Sequence, residues 1–98
     1  MNPSCDLCVG AAITRRYAST TDYWIADCVV CGVPMIVWSS HVAAPDDSVK
    51  SLLRERLREV ADRELGEDRW AFDDHMRNIP DHYHAHARPS PQRAVRRA

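Results

Sequence analysis

The chain has 98 residues, enough for a single domain, and its composition of 45% hydrophobic and 28% charged residues is that of an ordinary globular protein. Its net charge of −1 is unevenly spread: residues 88–98 contain four arginines and no acid, whereas residues 1–87 contain nine basic and 14 acidic residues. An acidic body of this kind does not indicate a nucleic-acid-binding protein. No signal peptide is visible in the sequence, and no apolar run is longer than six residues, so we expect no leader, no membrane span and a cytoplasmic location.

Three strands open the predicted fold. Residues 12–18 and 23–28 have the residue types of short strands, and the Ser-Thr-Thr-Asp stretch at 19–22 is typical of a turn between them. Residues 33–38, with the sequence VPMIVW, are apolar without interruption. This run predicts a third strand that is buried on both faces.

A long amphipathic helix is predicted over residues 47–65. Pro45, followed by two aspartates and a serine, is a helix-start signal, and Gly66 is a typical helix end. Between them, apolar residues recur at steps of three and four, which predicts a buried stripe of Val49, Leu52, Leu53, Leu57, Val60, Ala61 and Leu65. We also expect Glu59 and Arg63 to pair on the solvent face of the helix.

The remaining chain adds two strands and a tail. Residues 69–72 predict the start of a strand, and residues 81–87 alternate cleanly after Pro80, which predicts another. The proline- and arginine-rich residues 90–98 predict a disordered basic tail. The expected fold is therefore one α+β domain over residues 1–89, with a small antiparallel sheet and one long amphipathic helix.

The four cysteines form two Cys-x-x-Cys pairs, Cys5 with Cys8 and Cys28 with Cys31, with 19 residues between the pairs. This spacing is typical of a structural zinc site, because each pair spans one edge of a tetrahedron and a hairpin brings the pairs together. Four thiolates leave no open coordination position, so we interpret the metal as a staple of the N-terminal hairpin. Two disulfides or a redox-active pair are the alternatives. Gly32 suits the turn here because glycine tolerates positive φ.

Three of the five histidines alternate within residues 82–86. On a strand, alternate side chains share a face, so these histidines are expected on one face and the small residues between them on the other, against the helix. Such a row can bind a metal, bind phosphate, or present one histidine as a nucleophile. The lone His75 is expected to be a surface residue.

The sequence HYHAHAR at residues 82–88 resembles the motif of the histidine-triad (HIT) family, in which three histidines alternate with apolar residues. The order of parts is also similar: an N-terminal Cys-x-x-Cys, a strand hairpin, an apolar strand followed by His41, a long helix, and then the triad. The resemblance covers about residues 5–89 and implies a HIT-like fold.

By this resemblance, His84 would attack the α-phosphate of a nucleotide and form a nucleotidyl–histidine, which then passes to water or another acceptor. His86 would contact phosphate oxygens or the leaving group, and His82 would orient the site. Further contacts to phosphate or substrate are assigned to His41, Arg77, Asn78 and Arg88.

The resemblance also implies a second way to bind zinc, through Cys5, Cys8, His41 and His82. Cys28 and Cys31 argue for the four-cysteine set instead, because the predicted hairpin returns them to the first pair.

The function that these patterns favour is that of a HIT-like nucleotide-binding hydrolase or nucleotidyl transferase with a structural zinc. One alternative is a metal-dependent enzyme or sensor that uses the four histidines around a second metal, with Asp74 or Asp81 as a further ligand. Another is a non-enzymatic zinc-ribbon interaction module. The expected partners are a nucleotide or phosphate ligand and a second copy of the chain.

Overall fold

The computed structural model describes residues 15–28, 32–76 and 80–89. Five strands form one antiparallel sheet in the order β1-β2-β3-β5-β4, and a helix packs on one face of it. The elements are β1 (Arg16–Ser19), β2 (Tyr23–Asp27), β3 (Pro34–Trp38), α1 (Asp47–Leu65), β4 (Trp70–Asp73) and β5 (His84–Pro89). The expected α+β class, with one helix on a small antiparallel sheet, is confirmed. In these ranges no helix is both long and apolar enough to cross a membrane.

The helix α1 has the predicted bounds because its local signals act as expected. The Asp46 carboxylate accepts hydrogen bonds from the backbone N–H of Val49 at 3.1 Å and from the Ser48 hydroxyl at 2.7 Å, which caps the first turn. Gly66 ends the helix with a φ of 99°, a conformation that residues with a Cβ rarely adopt.

Two expectations about the helix are wrong. Leu52 belongs to the predicted buried stripe, yet it is 36% exposed. The helix turns about 100° per residue, and the buried stripe instead centres on Leu53 and Leu57. Glu59 pairs with Arg56, one turn earlier, at 3.0 Å, and not with Arg63.

The hairpin of β1 and β2 forms at the predicted turn. Thr20 closes the turn between β1 and β2, its backbone N–H donating to the carbonyl of Tyr23 at 2.8 Å. The β2–β3 connection is held by two backbone bonds, from Cys28 to the carbonyl of Val33 and from Gly32 to the carbonyl of Cys28, both 2.8 Å. Gly32 has the expected positive φ, 71°. The strand β3 is buried from Pro34 to Val37, as its apolar run predicts.

The strand β5 begins at His84 and not at residue 81, so His82 and Tyr83 precede it. The N–H of Tyr83 donates to the carbonyl of Val42, at 2.7 Å, in the loop after β3. Because Tyr83 bonds to a loop residue here, regular pairing with β3 begins only at His84, which lies opposite Val37. From there β5 pairs with β3 on one side and β4 on the other, and so lies inside the sheet.

The core lies between α1 and one face of the sheet. Ala85 and Ala87 of β5 are fully buried there, and their small side chains allow the helix to approach closely. The expectation that the small face of the histidine strand packs against the helix is confirmed. The other buried members of this cluster are Ile25, Ile36, Leu53, Leu57, Val60, Ala61 and Tyr83.

Candidate histidine site

His84 and His86 lie on the sheet face that is opposite to the helix. Strand alternation turns both away from Ala85 and Ala87, and the register sets His84 beside Val37 and His86 beside Met35. Their rings stand edge to face, with centroids 5.5 Å apart and an interplanar angle of 78°. The two imidazoles therefore form one unit on this face, next to apolar neighbours from β3.

His84 is held in one tautomer. Its ring is almost fully buried, and its Nδ1 lies 2.8 Å from the carbonyl oxygen of His82. A carbonyl oxygen can only accept a hydrogen bond, so Nδ1 must carry the proton. Burial lowers the pKa of His84 below its ordinary value, which favours the neutral ring. In that ring the free lone pair belongs to Nε2.

The Nε2 atom of His84 is the ring nitrogen that carries the free lone pair. In the described part of the chain it makes no hydrogen bond, and no buried side-chain nitrogen or oxygen there lacks a partner. Nε2 therefore keeps a little solvent exposure, although the residue as a whole is only 5% exposed. A buried neutral imidazole with one accessible lone pair is suited to attack an electrophile or to bind a metal.

His82 contacts His84 through its backbone carbonyl. Its side chain is completely buried, and its Nε2 lies 2.6 Å from the carbonyl oxygen of Trp38, to which it donates. This bond and the β-type bonds of Tyr83 fix the peptide whose carbonyl orients His84. The expectation that all three histidines share one strand face needs correction, because His82 lies before the strand begins.

His41 lies beside His82, in the loop after β3, with its Nε2 3.1 Å from the Asp81 carboxylate. Its ring meets the ring of His82 edge to face, with centroids 5.2 Å apart. The four histidines thus form two pairs of rings. One pair, His84 with His86, lies on the sheet, and the other lies where the chain enters β5.

Arg88 shares the face of His84 and His86 by strand alternation, and its Nε donates to Asp73 at 2.6 Å. Asp73 is the β4 residue opposite His86, and its other oxygen accepts the N–H of His75 at 3.0 Å. Sequence reasoning missed Asp73, because only the pairing of β4 with β5 brings it here. His75 itself is exposed, as expected.

Cys28 follows β2 and packs against Met35 and Val37, the residues beside the two histidines. Arg77 and Asn78, assigned to substrate, lie outside the described residues, as do the cysteines Cys5, Cys8 and Cys31. Among residues 15–28, 32–76 and 80–89, no group of three or more His, Cys, Asp or Glu side chains is arranged to hold a metal ion.

Comparison with known proteins finds no relative of this chain. The chain matches no family model, no curated protein and no solved structure.

Proposed function

We propose that the protein is a nucleotide hydrolase or nucleotidyl transferase that works through a histidine nucleophile, His84. The observation that carries the proposal is the hydrogen bond from Nδ1 of His84 to the carbonyl of His82. A histidine nucleophile must be neutral, with one nitrogen free and the other fixed by a hydrogen bond. His84 meets each of these conditions, and the resemblance of residues 82–88 to the histidine-triad motif indicates the same residue.

In the proposed reaction, Nε2 of His84 attacks the α-phosphorus of a nucleotide. A P–N bond forms as the P–O bond to the leaving group breaks, and the leaving group departs with the bonding electrons and takes up a proton. Water or another acceptor then attacks the phosphoramidate, releasing the nucleotide and restoring neutral His84. His86, whose ring centroid lies 5.5 Å from that of His84, is assigned to bind the phosphate or to protonate the leaving group.

Arg88 is the cation closest in sequence to these histidines, and we assign it to the phosphate oxygens. It lies two residues beyond His86 in β5, so its side chain leaves the same face of the sheet. The bond to Asp73 restricts the rotamers of Arg88, and a guanidinium held in place binds phosphate with less loss of entropy.

For the zinc, we propose the four-cysteine set of Cys5, Cys8, Cys28 and Cys31. The support is the contact between the described ends of the β2–β3 connection, where Gly32 takes a positive φ and its N–H donates to the carbonyl of Cys28. The Cys-x-x-Cys spacing that lies in this connection is typical of structural zinc sites. When bound, such a metal stabilises the fold and takes no part in the reaction.

The test compares the turnover of nucleotide substrates by the wild type with that by the His84→Ala and His84→Asn variants. Dinucleoside polyphosphates, nucleoside phosphoramidates and nucleotide sugars are offered to the wild type, and the nucleotidyl–protein is sought by mass spectrometry after rapid quenching. Both variants should lose turnover and the covalent adduct, because neither side chain can form a phosphoramidate. His75→Ala, which removes an exposed histidine, should keep full activity.

Two results would contradict the proposal. The first is an active His84→Asn variant with a normal circular dichroism spectrum. The second is a wild type that turns over none of these substrates and binds a second metal ion that His84→Ala loses. This second result would favour the metal enzyme or sensor instead.

A further inference from the structure

The sheet has a second buried face, on the side away from α1. Strand alternation turns Met35 and Val37 of β3 onto this face, where they are 6% and 0% exposed. They share it with His84 and His86 of β5, which are 5% and 7% exposed. Side chains stand roughly perpendicular to a sheet, so neighbours in one layer shield each other's flanks but not their tips. Burial of all four side chains therefore requires further atoms above the face.

The described elements do not supply that layer. In the described part of the chain α1 is the one helix, and it packs on the opposite face. The hydrophobic residues there that pack against the two β3 side chains are Trp24 and Cys28, from β2 and from its end. Arg16 of β1 lies over the ring of Trp24, 4.6 Å from its centroid, at one side of the face. The structure holds one copy of the chain, so the rest of the layer comes from the same chain, outside the described ranges.

The N-terminal segment, residues 1–14, has the composition that this layer needs. Within it, residues 7–13 have the sequence LCVGAAI and carry no charge. The other segments outside the described ranges are less suited: residues 29–31 and 77–79 are short, and residues 90–98 contain three arginines. Apolar side chains gain free energy from burial on an apolar face, whereas an arginine loses its hydration there.

The N-terminal segment also joins the sheet at a suitable place. The carbonyl of Arg15, the residue that follows it, accepts the N–H of Asp27 at 3.0 Å. Arg15 therefore lies beside the end of β2, close to Cys28, which packs on this face. Fourteen residues reach at most about 50 Å, whereas the three strand spacings from β1 to β5 amount to about 15 Å. The segment is thus long enough to cross the face from β1 to the histidines.

We propose that residues 1–14 lie across this face and cover its β3 and β5 side chains as a second layer on the sheet. The proposed zinc would hold the segment in this position, because Cys5 and Cys8 then share a metal with Cys28, which contacts the covered side chains. The apolar segment and the apolar part of the face thereby bury each other.

The cover ends before β4. On that strand Ala71 is exposed, and opposite it the side chain of Arg88 on β5 is 35% exposed. In the proposed function, on which this step rests, a nucleotide reaches His84 from the β4 side and passes Arg88, and residues 1–14 form the opposite wall of the site.

The direct test is photo-crosslinking of the full chain, with p-benzoylphenylalanine in place of Ala11. The excited benzophenone forms a bond to a carbon atom within its reach, so the crosslinked peptide identifies what the segment contacts. We expect crosslinks within one chain to residues 33–38 or 84–88. Crosslinks confined to α1, to residues 90–98 or to a second chain would overturn the proposal.

Oxidation of Met35 by dilute hydrogen peroxide tests whether the segment shields the face. Ile13→Glu should raise the rate of sulfoxide formation at Met35 by roughly tenfold or more, because a charged residue in the segment weakens its contact with the apolar face and admits the oxidant. Met76, which packs in the cluster beneath α1, should keep its rate. Leu52→Glu, the same change at a leucine that is 36% exposed on the helix, is the matched control and should leave both rates unchanged.

Peptide mass spectrometry gives the two oxidation rates, and circular dichroism establishes that each variant is folded. A Met35 rate in folded Ile13→Glu equal to that in Leu52→Glu would contradict the proposal. Should Ile13→Glu fail to fold, the crosslink from position 11 decides alone. Neither measurement depends on turnover, so the position of residues 1–14 is decided whether or not His84 is a nucleophile.

Discussion

At the scale of single residues, His84 shows how a backbone carbonyl fixes the tautomer of an imidazole while burial lowers its pKa. A carboxylate beside Nδ1 would raise the pKa of the ring and favour its charged form, whereas a backbone carbonyl fixes the same proton with a smaller effect on the charge. Burial then acts in the opposite direction and lowers the pKa. The outcome is a ring that stays neutral under conditions where an exposed histidine begins to protonate.

This pKa shift makes a prediction about stability. Because the pKa of His84 is lower in the folded than in the unfolded state, the unfolded state binds more protons between the two values, and the free energy of unfolding falls as pH falls. The loss begins below about pH 6.5 and has a slope of at most about 1.4 kcal/mol per pH unit. His84→Asn cannot titrate, so its free energy of unfolding should depend less on pH over this interval.

Urea denaturation of the two proteins between about pH 7.5 and about pH 5 measures the difference. The other four histidines are present in both, so the difference in slope reports the loss of His84 together with its contact to His86. A His84→Asn slope equal to that of the wild type would mean that His84 protonates as easily in the folded protein as in the unfolded chain.

At the scale of elements, α1 was predictable from the sequence and the histidine strand only in part. The cap at Asp46, the stop at Gly66 and the apolar repeat are all local signals, and the helix keeps the predicted bounds. The start of β5 depends on contacts with residues about 40 positions earlier, Val42 and Trp38. The alternation of residue types identified the strand, but it does not show at which residue the strand begins to pair with its neighbours in the sheet. The same holds for Asp73, which reaches the site only through the β4–β5 register.

The helix offers a matched pair of leucines for measuring the core. Leu57 is fully buried between α1 and the sheet, whereas Leu52 is 36% exposed. Leu57→Ala should lower the free energy of unfolding by about 2–5 kcal/mol, the cost of a cavity in a packed core. Leu52→Ala should change it by less than about 1 kcal/mol, since alanine is a good helix former and little apolar contact is lost.

Urea denaturation of the two leucine variants gives both free energies of unfolding, provided that the dependence of this free energy on urea concentration is the same in both. Both changes remove the same atoms from the same helix, so helix propensity cancels between them. Equal losses would contradict the placement of the helix on the sheet, because that placement is what distinguishes the two leucines.

At the scale of the whole molecule, the described core is small for a stable domain. The cluster beneath α1 has nine buried residues, three of which are alanines, and alanine contributes little apolar area. Small domains commonly gain stability from a disulfide, a metal or a partner subunit. The proposed zinc answers this need at the β2–β3 hairpin.

Metal content distinguishes the two zinc sets. A structural zinc contributes about 10 kcal/mol or more of binding free energy, comparable with the roughly 5–15 kcal/mol by which a whole domain is stable. Cys28→Ser should therefore lose the metal and most of its folded structure, and a chelator should do the same to the wild type. His41→Ala should keep one zinc per chain, because His41 is not among the four thiolate ligands and its side chain contacts Asp81 and His82 at a partly exposed site. Metal analysis measures the zinc content of the two variants, and circular dichroism measures their folded structure.

The opposite result would contradict the four-cysteine set. Zinc that survives Cys28→Ser but is lost with His41→Ala would assign the metal to the second set, which is Cys5, Cys8, His41 and His82.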